Sequence, residues 1–488
     1  MTATWLTFGL YFVALLVLGL IAWQRTSNLS DYILGGRKLG SGVTALSAGA
    51  SDMSGWLLLG LPGYAYLAGL EAGWIALGLL IGTWMNWLLV ASRLRIATEH
   101  LDDSLTLPDY FQRRFADTSG LLRIIPAVFI LLFFSLYVSA GLVAGGRLFE
   151  TVFELPYLWA VTAGAAAIIL YTFLGGYLAV SWTDALQALL MVLALSAVVL
   201  MAMGSGETGI FAAVEAHNPA LLNPFTDADG QALGLLAIIS LMAWGLGYFG
   251  QPHILARFMG IRAASDLTRA RRIAMTWVTI CLLAALLVGM AGLGSLDETL
   301  TGGDTETVFI RLVELLFHPV IAGICLAAIL AAIMSTADSQ LLVASSVVSE
   351  DFYKGWLKPG ADQTELVWVG RAAVIAIALI AFSLAMDPDS LVLELVAHAW
   401  AGLGAAFGPV IVLSLYWSGM SRAGAAAGMI AGGLTVMLWN RLDGGLFEVY
   451  EILPGAILAA LAVVLFSRLI PDPKATRRFE SMLEDRLP

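Results

Sequence analysis

The chain has 488 residues, 59% hydrophobic and only 12% charged, with a formal net charge of −11. No soluble fold of this size hides so much apolar surface, which excludes a water-soluble globular protein and leaves an all-α polytopic membrane protein. The two cysteines, Cys281 and Cys325, both fall in apolar segments and read as small core residues, not as a disulfide or metal pair.

Apolar runs of about 20 residues, the length that crosses a bilayer, fall at 5–24, 41–68, 72–96, 122–146, 157–175, 182–203 and 233–255. They continue at 273–295, 318–346, 366–386, 391–417, 423–440 and 452–468, giving about thirteen spans. The first run is full length and lacks a basic flank, so no cleavable signal peptide is expected. Loop charges alternate. Arg25, Arg37 and Lys38 follow the first span, and Arg93, Arg95, Arg113 and Arg114 the third. Arg257, Arg262, Arg269, Arg271 and Arg272 follow the seventh, Lys354 and Lys358 the ninth, and Arg422 the eleventh. The opposite loops hold Glu207, Asp227, Asp297, Glu306, Asp387 and Asp389. Positive-inside then places the N-terminus outside and the C-terminus in the cytoplasm.

The second span is not a lipid-facing helix. Residues 47–63 read SAGASDMSGWLLLGLPG, with Asp52, three serines, four glycines and Pro62. A carboxylate at mid-bilayer costs at least ~2.5–3.5 kcal/mol, so Asp52 reads as functional. Gly49, Gly55, Gly60, Gly63 and Pro62 weaken the helix, and freed carbonyls survive at that depth only where protein buries them or a cavity takes them. Small polar residues beside an unwound turn suit a bare cation.

Span seven is the second broken segment. LMAWGLGYFGQPHILARF (241–258) carries Gly245, Gly247, Gly250 and Pro252, with Trp244 and Tyr248 four apart on one helical face. Spans two and seven cross in opposite directions, the mark of an inverted-repeat transporter with its site at the midplane. The division expected is 1–40, the first helix and a cytoplasmic loop; 41–203, the first repeat; 204–232, an extracellular loop; 233–417, the second repeat; 418–468, two further spans; and 469–488, a cytoplasmic tail.

Span nine adds Ala332, Ser335 and Thr336 on one face and Ser335, Asp338 and Ser339 on an adjacent one. Asp184, near the start of span six, is either their partner or a carboxylate favoured by the helix dipole. Asp184, Ser335, Asp338 and Ser339 together would make a second cation site, with a proton left open as its occupant.

Eight stretches carry a family resemblance: DYILGGR (31–37), TALSAGASDMSGW (44–56), LTLPDYF (105–111), AVSWTDALQ (179–187), WGLGYFGQPHILARFM (244–259), ILAAIMST (329–336), ELVWVGR (365–371) and AWAGLGAAFGP (399–409). The sequence resembles the solute:sodium symporter family, and within it the bacterial members that take up L-proline. The resemblance implies thirteen spans with a five-plus-five inverted repeat of the LeuT-like type, in a bacterial plasma membrane, and no obligatory protein partner. It implies sodium on the backbone oxygens of Ala50, Met53 and Ala332 and the hydroxyls of Ser335 and Thr336. Asp52, Ser54 and Gly55 fall on positions tied to sodium-coupled uptake, and Arg37 on a functionally sensitive basic position, a gating candidate. Substrate contacts fall on Tyr137, Trp244, Tyr248 and Pro252. Asp338 departs from the family pattern, as do Glu394 and His398, four apart on span eleven, which read as a satisfied pair near the outer mouth or as a proton-sensitive gate.

The function expected is secondary active symport, with sodium flowing inward and L-proline taken up by alternating access. Another amino acid, pantothenate, a sugar or iodide is the rival substrate. No enzyme is expected, because neither a nucleophile–base set nor a HExxH motif is present. A channel would need a repeated pore motif, and a transporter-like sensor a soluble domain after Arg468.

Overall fold

In the computed structural model of the chain, residues 2–23, 33–174, 176–205 and 209–484 are described. Arg25, Asp31, Tyr32 and Glu207, which enter the sequence reading, lie outside them. Every regular element among the described residues is helical, with two isolated bridges, Leu39–Ile261 and Thr226–Ala232.

The helices in chain order are α1 (Thr2–Trp23), α2 (Ser41–Asp52), α3 (Leu61–Ala68), α4 (Gly73–Met85), α5 (Ala91–His100), α6 (Leu107–Arg114) and α7 (Leu121–Phe153). Then come α8 (Tyr157–Leu174), α9 (Tyr177–Ser205), α10 (Ile210–His217), α11 (Leu235–Met242), α12 (Pro252–Gly260), α13 (Leu267–Ser295) and α14 (Val308–Leu316). The last are α15 (Pro319–Ser346), α16 (Gln363–Leu384), α17 (Val392–Tyr416), α18 (Arg422–Trp439), α19 (Ile452–Leu469) and α20 (Pro473–Glu484).

Eight helices among the described residues are long and apolar enough to cross a membrane, or nine if the pair 235–250 and 252–260, bent by 46°, counts as one span. That is fewer than the thirteen expected. The second expected span is divided between α2, of 12 residues, and the helical turns after the break, so neither piece is long enough alone. Its second half and the third expected span form one helical stretch, 56–100, of 45 residues. A straight helix that long would reach ~68 Å, over twice the hydrocarbon core. The left-handed Gly69, φ +59, interrupts it between α3 and α4.

Both sequence-predicted breaks are present. α2 ends at Asp52, Met53 leaves helical space (φ −85, ψ 82), and a wide π-type turn spans Trp56–Gly60 before α3 resumes. In the second, α11 gives way to a 3-10 segment, Ala243–Gly250, and an extended Gln251 before α12 starts at Pro252. Pro252 occupies the first helical position, where its missing N–H is no loss. The 3-10 geometry corrects the expectation that Trp244 and Tyr248 share a face. At three residues per turn, positions four apart are a third of a turn out of register.

α15 is the central column. Every residue from 325 to 342 is buried, as expected of a helix surrounded by others. It packs on α9, α7, α1, α16 and α2, while α17 packs on the 3-10 segment, α7, α18 and α19. Small residues permit these approaches. A Cβ at Gly245 would lie 2.1 Å from the Gly78 carbonyl oxygen, so α4 and the 3-10 segment touch backbone to backbone. Gly245→Ala should therefore destabilise the purified protein by ~1–3 kcal/mol, the scale of overpacking. An unchanged thermal unfolding midpoint would show slack between these elements.

Candidate functional site

The site grows from the break after Asp52. Loss of the helix there frees the Asp52 carbonyl for three donors: the Ser54 N–H at 3.1 Å, Trp56 Nε1 at 3.2 Å and the Tyr137 hydroxyl at 3.3 Å. The Asp52 carboxylate, 1% exposed, reaches the other broken helix, where Tyr248 donates its hydroxyl to Oδ2 at 2.5 Å. Oδ1 has no hydrogen-bond partner among the described residues. One carboxylate thus ties the two interrupted segments together and keeps an acceptor free. Ser54 lies in the break, where its Oγ is 3.5 Å from the Trp56 N–H, and Gly55 lets the chain pass close to Ala144 and Ile333.

Four of the five residues expected to hold sodium bring their oxygens together. Ser335 Oγ donates to the Ala50 carbonyl at 2.8 Å and to the Ala332 carbonyl at 3.0 Å, and Thr336 Oγ1 lies 3.3 Å from the Ala50 carbonyl. Met53 stands in the non-helical turn three residues beyond Ala50. All five residues are buried. Several neutral oxygens around an unwound turn is a donor set suited to a monovalent hard cation.

Aromatic rings surround the other side of the break. Trp244 lies 6.5 Å from Trp56, centroid to centroid, and stacks on Tyr450 at 5.2 Å and 29°. Tyr248 meets Trp400 edge-on at 5.0 Å, and Trp400 donates its Nε1 to the Trp244 carbonyl at 2.7 Å. Pro252 is buried at the start of α12. Tyr137 and His253 lie 6.2 Å apart in a T-shaped contact. The sequence reading found Tyr137, Trp244, Tyr248 and Pro252 but not Trp56, Trp400 or Tyr450, which no local signal distinguishes from packing aromatics.

The expected second cation cluster divides. Asp184, Asp338 and Ser339 come together, whereas Ser335 belongs to the Ala50 set. Arg257, counted from sequence as a loop charge, is 0% exposed inside α12. It donates to Asp184 at 3.0 Å, Ser339 at 2.5 Å, Ser47 at 3.0 Å and the His253 carbonyl at 3.1 Å, and lies over the Tyr177 ring. The reason is desolvation: a carboxylate two turns into α9, beyond the reach of its dipole, needs a full counter-charge. Asp338 Oδ1 is 3.4 Å from the Ser339 hydroxyl, and its Oδ2 is unpartnered among the described residues.

Arg37, at φ 53, gathers several partners around its guanidinium. It binds Asp103 at 2.6 Å, Thr98 at 3.1 Å, the Met259 carbonyl at 2.7 Å and the Ser104 carbonyl at 3.0 Å. Next to it the backbones of Leu39 and residues 260–262 pair, with Arg262 N–H to the Leu39 carbonyl at 2.8 Å. The expected Glu394–His398 pair is not formed. His398 Nδ1 instead meets Glu451 at 3.1 Å, at the start of α19, while Glu394 is exposed. Cys281 and Cys325 are buried and free.

The model of the Sodium:solute symporter family matches residues 32–432. The "Sodium/proline symporter" of Salmonella typhimurium is 53% identical over 474 residues, covering 96% of this chain and 93% of that protein. The protein of the same name from Escherichia coli is 52% identical over 477 residues, with the same coverage. The solved structure of a Na+-coupled sialic acid symporter in a substrate-bound, outward-open state superposes with a TM-score of 0.79 at 16% identity, covering 97% of this chain and 99% of that one. That likeness shows the fold, the LeuT-like architecture of helical membrane transporters.

The buried Arg257–Asp184 pair makes a direct prediction. Removing one partner leaves an uncompensated buried charge, so Arg257→Met should destabilise by about 3–5 kcal/mol, and Arg257→Met with Asp184→Leu should recover most of that loss. Equal loss of thermal stability in the single and double variants would show that packing, not charge, dominates.

Proposed function

The chain belongs to the sodium:solute symporter family, and from that premise we propose that it is a secondary active symporter that couples inward sodium flux to uptake of L-proline. One observation carries this reading. A single helix break supplies both halves of the site: Ala50, one turn before it, offers a carbonyl to Ser335 and Thr336, while Asp52, at its edge, binds Tyr248 of the aromatic wall. Proline uptake with sodium is the activity named for the relatives that are about half identical over nearly the whole chain.

Sodium would sit among the carbonyls of Ala50, Met53 and Ala332 and the hydroxyls of Ser335 and Thr336. On binding, the two hydroxyls rotate their hydrogens away from the carbonyls and present lone pairs. The substrate ring would pack on Trp244 and Tyr248, with Tyr137 and Pro252 beside it. Its carboxylate is favoured by the N–H groups and dipole of a half-helix start. Because the break is shared, filling the ion site orders the edge that carries Asp52, which links sodium occupancy to the substrate wall. Coupling of this kind is typically ~1–3 kcal/mol and reciprocal. One sodium ion crossing at −100 mV adds ~2.3 kcal/mol of driving force. Ser54 and Gly55 shape the break, and Asp184, Asp338 and Ser339 are coupling residues around Arg257.

The protein lies in the bacterial plasma membrane with its N-terminus outside and its C-terminus in the cytoplasm, and works by alternating access, not catalysis. Contacts between chain ends sort into two sets that support this orientation and thirteen crossings. One set contains Arg37–Asp103, Arg422–Asp117 and the Arg114 bond to Ala475 on the tail helix, and is assigned to the cytoplasm. The other contains the Trp74 bond to Pro224, Arg147–Glu306 and His398–Glu451. Residues 41–203 and 233–417 form the inverted repeats, and Arg37 is the inner latch.

The deciding experiment is uptake of radiolabelled L-proline into liposomes holding the purified protein. Proline should accumulate under an inward sodium gradient and not under a matched potassium gradient. Accumulation of another solute instead would refute proline and leave symport standing. Asp52→Asn should raise the sodium concentration for half-maximal uptake by at least about tenfold, the size of a weakened charge-assisted contact, with normal membrane insertion. Trp244→Ala should weaken apparent proline affinity by ~1–3 kcal/mol through loss of the aromatic wall, while sodium binding without proline persists.

A further inference from the structure

Two of the helices outside both repeats, α18 and α19, are joined by a loop that reaches the aromatic wall. The loop between them, 440–451, folds back over the second broken segment. There Tyr450 lays its ring on Trp244, with centroids 5.2 Å apart and planes at 29°. Two hydrogen bonds hold Tyr450 in place, one at its backbone and one at its hydroxyl. The Tyr450 N–H donates to Ser240 Oγ of α11 at 2.7 Å, and its hydroxyl donates to the Ala397 carbonyl of α17 at 2.7 Å.

Beyond the ring lies a cleft of about 360 Å³ lined by Trp244, Trp439, Asp443, Glu448, Tyr450 and Glu451 among others, with no Lys or Arg in its lining. Trp244 is 7% exposed, and that cleft is what it faces. The loop has a built hinge. Gly444 and Gly445 have φ of +83 and +62 with open space where a Cβ would stand. The loop is anchored to α18 by the Trp439 Nε1 bond to the Val449 carbonyl at 3.0 Å and by the Trp439–Phe447 contact at 4.8 Å.

We propose that Tyr450 is the outer gate of the substrate site and a specificity-determining side chain, admitting a small ammonium-bearing solute from an acidic vestibule. This rests on the symport reading above. Solute entering from the cleft meets the Tyr450 ring before it meets the inner part of the Trp244 wall. Opening requires the phenol to leave the Ala397 carbonyl and the Tyr450 backbone N–H to leave Ser240, a motion the paired glycines allow. Closing restores the stack and limits the ring size that fits beneath it. The acidic lining raises the local concentration of cations and of ammonium groups and repels free anions.

The test uses the full chain in liposomes. Tyr450→Ala should raise the external proline concentration for half-maximal uptake and speed release of pre-bound proline, each by about tenfold, as expected for loss of one aromatic stack. Its sodium affinity measured without proline should stay within about twofold, because the sodium oxygens do not touch this loop. Tyr450→Phe keeps the stack and should restore slow release. Pipecolic acid, one methylene larger than proline, should compete better against Tyr450→Ala than against the unaltered chain. A second arm leaves Tyr450 intact: Ser240→Cys with Val449→Cys, joined by a short bifunctional thiol reagent, should stop uptake until the linker is reduced. Wild-type release from Tyr450→Ala, or undiminished uptake by the linked protein, would overturn the proposal. If the unaltered chain accumulates a different solute, the proline assignment fails on its own, and release and cross-linking are read with that solute.

Discussion

The architecture depends on the hydrogen bond between the Asp52 carboxylate and the Tyr248 hydroxyl. Each partner stands on a segment that has given up regular α-helical hydrogen bonding, and neither break would hold its shape in a low-dielectric interior without the other. The bond fixes the distance between the two breaks, and through the Asp52 main chain it also fixes Trp56 and Tyr137. Moving Asp52 therefore disturbs the ion oxygens one turn away at Ala50 and the aromatic wall at the same time. Linkage between two ligands needs a shared element of this kind, because occupancy of either site must change the free energy of the other.

Around that bond the interior balances charge locally. Arg257 and Asp184 bring a full cation and a full anion into a region with no measurable exposure, and serines on α2 and α15 satisfy the remaining donors. Such a pair adds little net stability over an apolar substitute. It does fix register: α2, α9, α12 and α15 each supply one member, so sliding any one of the four strands a charge. The Arg37 cluster does the same where helix ends meet, joining the end of α12 to α5 and the turn after it. The two arginines, one buried and one near the surface, brace the same short helix.

The sequence made the breaks legible because glycine and proline interrupt a helix for local reasons. The polar cluster on α15 was legible because helical spacing puts Ser335 and Thr336 together. What was not legible depends on distance along the chain. Nothing near Arg257 indicates Asp184, 73 positions away, so a buried guanidinium read as a loop charge. His398 found Glu451 and not Glu394 because tertiary contact brings α19 alongside α17. The register of Trp244 and Tyr248 failed for another reason: spacing rules assume α geometry, and the glycines that flag the break also relax the segment into a tighter coil.

That tighter coil has a mechanical meaning. Eight residues, 243–250, are wound as a 3-10 helix. At about 2.0 Å per residue they cover ~16 Å, and the same residues wound as an α-helix would cover ~12 Å. Rewinding would shorten the segment by ~4 Å and turn Tyr248 by ~80° relative to Trp244, since each residue would advance about 100° instead of 120°. The second broken helix is thus a screw whose pitch can change without leaving the membrane.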